Sequence, residues 1–275
     1  MNGPSRNERR RIVAMGGGGF SVRGGDPALD RYVLDAIERP NPRICLLPTA
    51  SGDPEEQIHR FYRAFGDLAC EPTHLSLFRL GCQPVDVRDL LLGQDAIYVG
   101  GGSMLNLLAI WRAHGLHSVL REAWERGVAL CGISAGSMCW FSAGVTKGWG
   151  APRAAPGLGL LPASNSVHYH GEPERRVKFL EAVRTEAVAP GYGVDDGVAL
   201  LFAGAELVEA VTARRGSGAW WVEGAGGGVT ETPLPVRTLE RVDDEPRVPL
   251  SIVEFREARL HAAERTRRRG VRGFR

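Results

Sequence analysis

The chain has 275 residues, 43% of them hydrophobic and 24% charged, with a net charge of +2. That composition and length suit one large α/β domain or two small ones, stable without disulfide or metal staples. So small a charge argues against a nucleic-acid partner, and no apolar run reaches the roughly 20 residues of a membrane helix, so no membrane association is expected.

The five cysteines, Cys45, Cys70, Cys82, Cys131 and Cys139, are scattered, odd in number and form no CxxC pair. Free thiols in a reducing cytosol follow. The polar start MNGPSRNERR has no signal-peptide core behind it, so the expected location is cytoplasmic.

In chain order, a polar tail at 1–10 precedes a buried strand at 11–15, which runs into the glycines 16–19. Residues 27–38 have helical spacing, with Asp26 as the cap ahead of Pro27. A second strand at 43–48 is followed by a helix opened by Asp53, again with proline just after the cap. Residues 74–78 read as a third strand, 87–92 as a short helix, and 96–99 as a fourth strand ending in Gly100, Gly101 and Gly102. Helices at 103–114 and 116–126 lead to a fifth strand at 128–133. Strands alternating with amphipathic helices argue for a mostly parallel sheet covered by helices on both faces, with its active site at the carboxyl ends of the strands. Beyond a polar stretch and a helix at 173–184, residues 193–202, 207–212 and 218–222 read as shorter strands that close the sheet or form a small antiparallel extension. The expected organisation is a single domain over 11–255 and a basic tail over 256–275.

The strongest local signal is VALCGISAGSMC at 128–139, an apolar strand running straight into G-I-S-A-G. A nucleophile on a sharp strand-to-helix turn needs small neighbours two residues away on each side, and Gly132 and Gly136 supply them. Ser134 is the nucleophile this pattern nominates, and the amide of Ala135, at a helix N-terminus, can donate to an oxyanion. Such a serine needs a base. Of the seven histidines, His59, His74, His114 and His117 fall on helices or strands and His261 on the charged tail. His168 and His170 instead lie in the polar stretch NSVHYHGE, free of packing duties. The carboxylate that orients the base is Asp195 or Asp196, in GYGVDDGVAL. The resulting order Ser, His, Asp differs from the Ser, Asp, His order of common α/β-hydrolases. No metal or cofactor is expected, because His168, His170 and Glu172 lack the ligand spacing of a zinc site.

Four motifs, YVGGGSMLNLL at 98–108, GISAGSMCWF at 132–141, GLGLLPASNSVHYHGEPERR at 157–176 and GYGVDDGVALLF at 191–202, fall in an order and spacing that matter together. Over residues 11–212 they resemble the peptidase E (aspartyl dipeptidase) and cyanophycinase family of serine peptidases. The resemblance implies a class I glutamine amidotransferase-like (flavodoxin-like) fold. It makes Ser134 the nucleophile, His168 the base and Asp196 the acid, with Asp195 as the competitor. Gly101, Gly102 and Ala135 would supply the oxyanion hole. Arg175 and Arg176 resemble arginines that follow the histidine in cyanophycinases and would hold a substrate carboxylate. Two positions depart from aspartyl dipeptidases: Ser103 stands where they usually carry asparagine, and Val167 precedes the histidine. Serine at the elbow, where class I amidotransferases have cysteine, argues against glutaminase activity. The expectation is therefore a cofactor-free serine peptidase acting on small peptides, dipeptides or amides of aspartate, with a homodimer allowed. An esterase or acyltransferase on the same triad, or an idle family member that binds a ligand or protein, are the alternatives.

Overall fold

The computed structural model describes residues 10–22, 25, 27–82, 85–148 and 150–240. The expected cap Asp26, His261 and the tail beyond residue 240 lie outside the described residues. In chain order the first half contains β1 (Arg11–Met15), α1 (Ala28–Ile37), β2 (Arg43–Leu47), α2 (Glu55–Phe65), β3 (Glu71–His74) and α3 (Val87–Leu92). Then come β4 (Ala96–Val99), α4 (Met104–Ala113), α5 (Leu116–Glu125), β5 (Ala129–Ile133) and the one-turn α6 (Ala135–Met138). The second half adds β6 (Phe141–Thr146), β7 (Arg153–Pro156), β8 (Leu161–Val167), α7 (Pro173–Arg184) and β9 (Gly191–Val194). It closes with β10 (Val198–Ala203), β11 (Glu206–Thr212), β12 (Ala219–Ala225), β13 (Gly228–Pro233) and β14 (Val236–Thr238).

Eight strands make the first sheet, in the order β14-β11-β10-β1-β5-β4-β2-β3. The five on the β1 to β3 side are parallel, and β10 joins β1 antiparallel. Period-two alternation sends Ile12 and Ala14 to one face and Val13 and Met15 to the other, and both faces are buried. That is why these strands read as unbroken apolar runs. Leu29 and Val33 of α1, with Phe61 and Phe65 of α2, cover one face. Leu107 and Trp111 of α4, with Leu120 of α5, cover the other. No helix among the described residues is long and apolar enough to cross a membrane.

The antiparallel extension exceeds the expected size. It is part of a second, six-stranded sheet, β13-β12-β9-β8-β6-β7. Phe141, Leu161 and Val167 of that sheet join the core shared with α4 and α5. Its other side packs Val145 and Val222 against Phe179 and Val183 of α7. Residues 193–202, read from sequence as one strand, are two strands in different sheets, and Asp195, Asp196 and Gly197 form the crossover. The third strand lies earlier than expected, because Leu77–Arg79 turns as a 3-10 segment that buries Leu77. Asp53 does not cap α2. Its backbone is left-handed (φ 55°) and its carboxylate accepts from Ser76 Oγ at 2.6 Å, leaving Pro54 at the cap.

Candidate active site

β5 ends at Ile133 and α6 begins at Ala135, so the whole change of direction falls on Ser134, with φ 55° and ψ −113°. A non-glycine residue there is strained, and strain of this kind persists only where the surroundings fix it. The Ser134 amide donates to the Met15 carbonyl at the end of β1 at 3.0 Å, and the Ser134 carbonyl accepts from Met138 at 3.0 Å. A Cβ on Gly132 would overlap the carbonyl oxygen of Gly136, and one on Gly136 would overlap that of Val99. Backbone here meets backbone, with no flexible side chain to give way. Gly132→Ala is therefore expected to cost stability at the upper end of the roughly 1–3 kcal/mol typical of overpacking, and to abolish activity. Urea unfolding beside an activity assay checks this; a variant as stable and active as the parent would contradict it. The neighbouring thiols are inert: burial pushes Cys131 up to about 12 and Cys139 well above its ordinary value, the opposite of an activated nucleophile.

His168 follows directly on β8 and also has a left-handed backbone, φ 54°. Its flanking residues Val167 and Tyr169 are wholly buried. The Tyr169 amide donates to Val194 at 3.2 Å, and the His168 carbonyl accepts from Glu172 at 2.8 Å. Held this way, His168 places Nε2 2.9 Å from Ser134 Oγ and Nδ1 against Asp196 Oδ1. With Nδ1–H donating to the carboxylate, Nε2 is left as the acceptor for the serine proton. The hydrogen bond from His168 holds the Asp196 carboxyl below its usual range, and the charges of Arg214 and Arg175 act in the same direction against burial. Sequence reasoning saw the glycine run at 16–19 only as a loop at a strand end. In the structure a Cβ on Gly17 would overlap Asp196 Oδ1 and come within 3.2 Å of His168 Cε1.

Asp195 and Asp196 are neighbours that point to different tasks. Asp195 Oδ1 accepts from the His170 amide at 3.0 Å and faces His170 Nδ1 at 3.0 Å, while Oδ2 accepts from the Gly218 amide at 3.1 Å. It ties the histidine turn to the start of β12. Each histidine of the 168–172 stretch thus turns its Nδ1 to a different aspartate, which separates His168, His170 and Glu172 as a ligand trio.

Ser134, His168 and Asp196 open onto a cavity of about 890 Å³, large enough for a small peptide. Gly101 lines it, and a Cβ there would lie 3.3 Å from Ser134 Cβ. Gly102 takes φ 144°, a conformation open to glycine, and a Cβ there would overlap the Ala50 carbonyl. Ser103, the departure from the asparagine of related sequences, caps α4 by accepting from the Asn106 amide at 3.2 Å. Ala135 is wholly buried at the first position of α6.

The arginine pair does not reach the cavity. Arg176 forms a two-pronged contact with Glu231 (3.0 and 2.6 Å) and lies over the Tyr169 ring. Arg175 is buried against Glu172, 3.1 Å away. Helix α7 packs its first turn on the second sheet, which carries both guanidinium groups away from the opening. The arginines that do line the cavity are Arg214 and Arg215, and nothing in the surrounding TARRGSG marked them beforehand.

Comparison with known proteins agrees with this architecture. The model of peptidase family S51 matches residues 12–210. YgaJ of Bacillus subtilis, an uncharacterized peptidase, is 45% identical over 230 residues, covering 84% of this chain and 99% of that protein. Peptidase E of Shewanella amazonensis is 32% identical over 132 residues, 44% of this chain and 56% of that protein. The crystal structure of a peptidase from an acI-B1 Actinobacterium shares the fold, with a TM-score of 0.65 at 18% identity over 82% of this chain and 94% of that one. Because the family match runs from β1 into β11 and takes in the elbow, the histidine turn and the aspartate crossover, the chain belongs to peptidase family S51 and is a serine-type peptidase.

Proposed function

We propose that the chain hydrolyses small peptides, dipeptides or amides of aspartate, through a Ser134–His168–Asp196 triad and an acyl-enzyme. The observation that carries this reading is the line of contacts from Ser134 Oγ through both nitrogens of His168 to Asp196, opening on the cavity. His168 Nε2 takes the hydroxyl proton as Ser134 attacks the scissile carbonyl, then returns it to the leaving amine. Water, activated by the same nitrogen, releases the acid. The amides of Gly101, Gly102 and Ala135 are assigned to the oxyanion, since the first two flank the glycine turn over Ser134 and the third opens α6. A fluorophosphonate probe tests the nucleophile: labelling confined to Ser134 supports the triad, and an unlabelled protein leaves an idle binder as the better reading. Turnover of simple esters without turnover of any dipeptide would favour the esterase alternative.

Two guanidinium groups of the cavity, set beside the carboxylates of Asp196 and Glu240, support an acidic substrate. Arg214 and Arg215 line the cavity, and among the described residues neither forms an ion pair. A substrate carboxylate held by such a guanidinium gains about 1.5–3 kcal/mol per charge-assisted hydrogen bond, worth tenfold or more in affinity. Asp-Leu is expected to be cleaved at least tenfold faster than Asn-Leu at low substrate concentration. Arg214→Ala or Arg215→Ala should erase that preference mainly through KM, whereas Arg176→Ala should leave it. Equal rates on the two dipeptides would remove both arginines from substrate recognition.

A further inference from the structure

Arg175 presents a problem that packing alone does not answer. It lies in the first turn of α7, where the helix dipole disfavours a cation, and only 6% of its surface is exposed. Its ion pair with Glu172 is 3.1 Å long, its Nη1 reaches the Val167 carbonyl at 3.5 Å, and its Nε has no hydrogen-bond partner among the described residues. A buried guanidinium so incompletely satisfied is not a choice made for stability, because burying charge is costly unless every donor is met.

Its location supplies the reason. Val167 and Glu172, the two residues it touches, bracket the turn that contains His168. Glu172 closes the same turn by donating its amide to the His168 carbonyl at 2.8 Å. The His168 backbone is left-handed at φ 54°, a conformation that a non-glycine residue keeps only when its surroundings enforce it. The guanidinium charge also acts on Asp196 from the α7 side, as Arg214 does from the cavity side.

Building on the triad reading, we propose that Arg175 is a positioning residue. Its guanidinium braces the turn between Val167 and Glu172, so that His168 keeps the backbone conformation that aims Nε2 at Ser134. Its charge also favours the Asp196 carboxylate, as that of Arg214 does.

The test is steady-state kinetics of Arg175→Met and Arg175→Lys on a dipeptide that the parent cleaves. Misplacing a reacting group by a fraction of an ångström to an ångström costs up to roughly 100-fold. Arg175→Met is expected to lower kcat roughly 10- to 100-fold with KM unchanged. Arg175→Lys, which keeps the charge and loses the planar fork, should also lower kcat with KM unchanged. A raised KM with kcat intact in either variant would make Arg175 a substrate contact, and parental kinetics in both would make it scaffold; each overturns the proposal. Should Arg175→Met fail to fold, the lysine variant decides by the same kcat and KM criterion. The triad is judged separately, by fluorophosphonate labelling of Ser134 in the parent.

Discussion

Ser134→Ala is expected to abolish turnover while leaving the fold and its thermal stability close to those of the parent. Alanine fits the elbow, because every constraint on that turn comes from Gly132, Gly136 and the backbone hydrogen bonds of residue 134 rather than from the hydroxyl. What the substitution removes is the hydrogen bond between Oγ and His168 Nε2, 2.9 Å long. Removing the nucleophile of a triad costs on the order of 10⁶ in kcat in a serine protease where this was measured. A dipeptide hydrolysis assay reads the loss directly, and circular dichroism confirms the fold. Retention of more than a few per cent of the rate in folded protein would remove Ser134 from the chemistry. Cys139→Ala, at the residue that follows α6, is the internal control. Its thiol donates to the Gly136 carbonyl at 3.2 Å and is wholly buried, so activity should change little.

The parallel half of the fold was legible because its physics is local. Strands buried on both faces, such as β4 and β5, are continuous apolar runs, and the helices between them carry apolar stripes at helical spacing. The elbow was legible for a related reason, since two backbone collisions leave no alternative to Gly132 and Gly136. The second sheet was not. Its strand β8 buries Ser164, Asn165 and Ser166, and no apolar period marks it, so the stretch before His168 read as a loop. Pairing with β6 and β9 makes it a strand, and that pairing is long-range. The arginines misled for the converse reason. Arg175 and Arg176 follow the histidine closely in sequence, yet the helix that begins at Pro173 turns them toward Glu172 and Glu231. Arg214 and Arg215 arrive at the cavity from the turn after β11, by a route that only the assembled sheets define.

The adjacent aspartates should respond to the same substitution in opposite ways. Asp196→Asn replaces an acceptor with an amide that can donate to His168 Nδ1, which leaves the hydrogen on Nε2 and removes the acceptor for the Ser134 proton. Neutralising an orienting aspartate in this manner lowers kcat by about 10⁴, and that is the expected loss. Its effect on stability should be present near neutral pH and fade in acid. Because the folded carboxyl of Asp196 is held below its usual range, its contribution is present above the unfolded value of about 3.9 and is lost as the pH falls through the lower folded value. The stability that Asp196 supplies should therefore be intact between pH 7 and 5. Asp195→Asn keeps one acceptor oxygen for the three N–H groups around it, two from His170 and one from Gly218. It should lower the unfolding free energy by roughly 1–3 kcal/mol, the cost of leaving a buried donor unmet, and change kcat less than tenfold. Measuring kcat and the urea midpoint for both variants separates the two roles. A 10⁴-fold loss in Asp195→Asn together with a mild effect in Asp196→Asn would move the acid of the triad to the neighbouring residue and reassign the contact at His168 Nδ1 to packing.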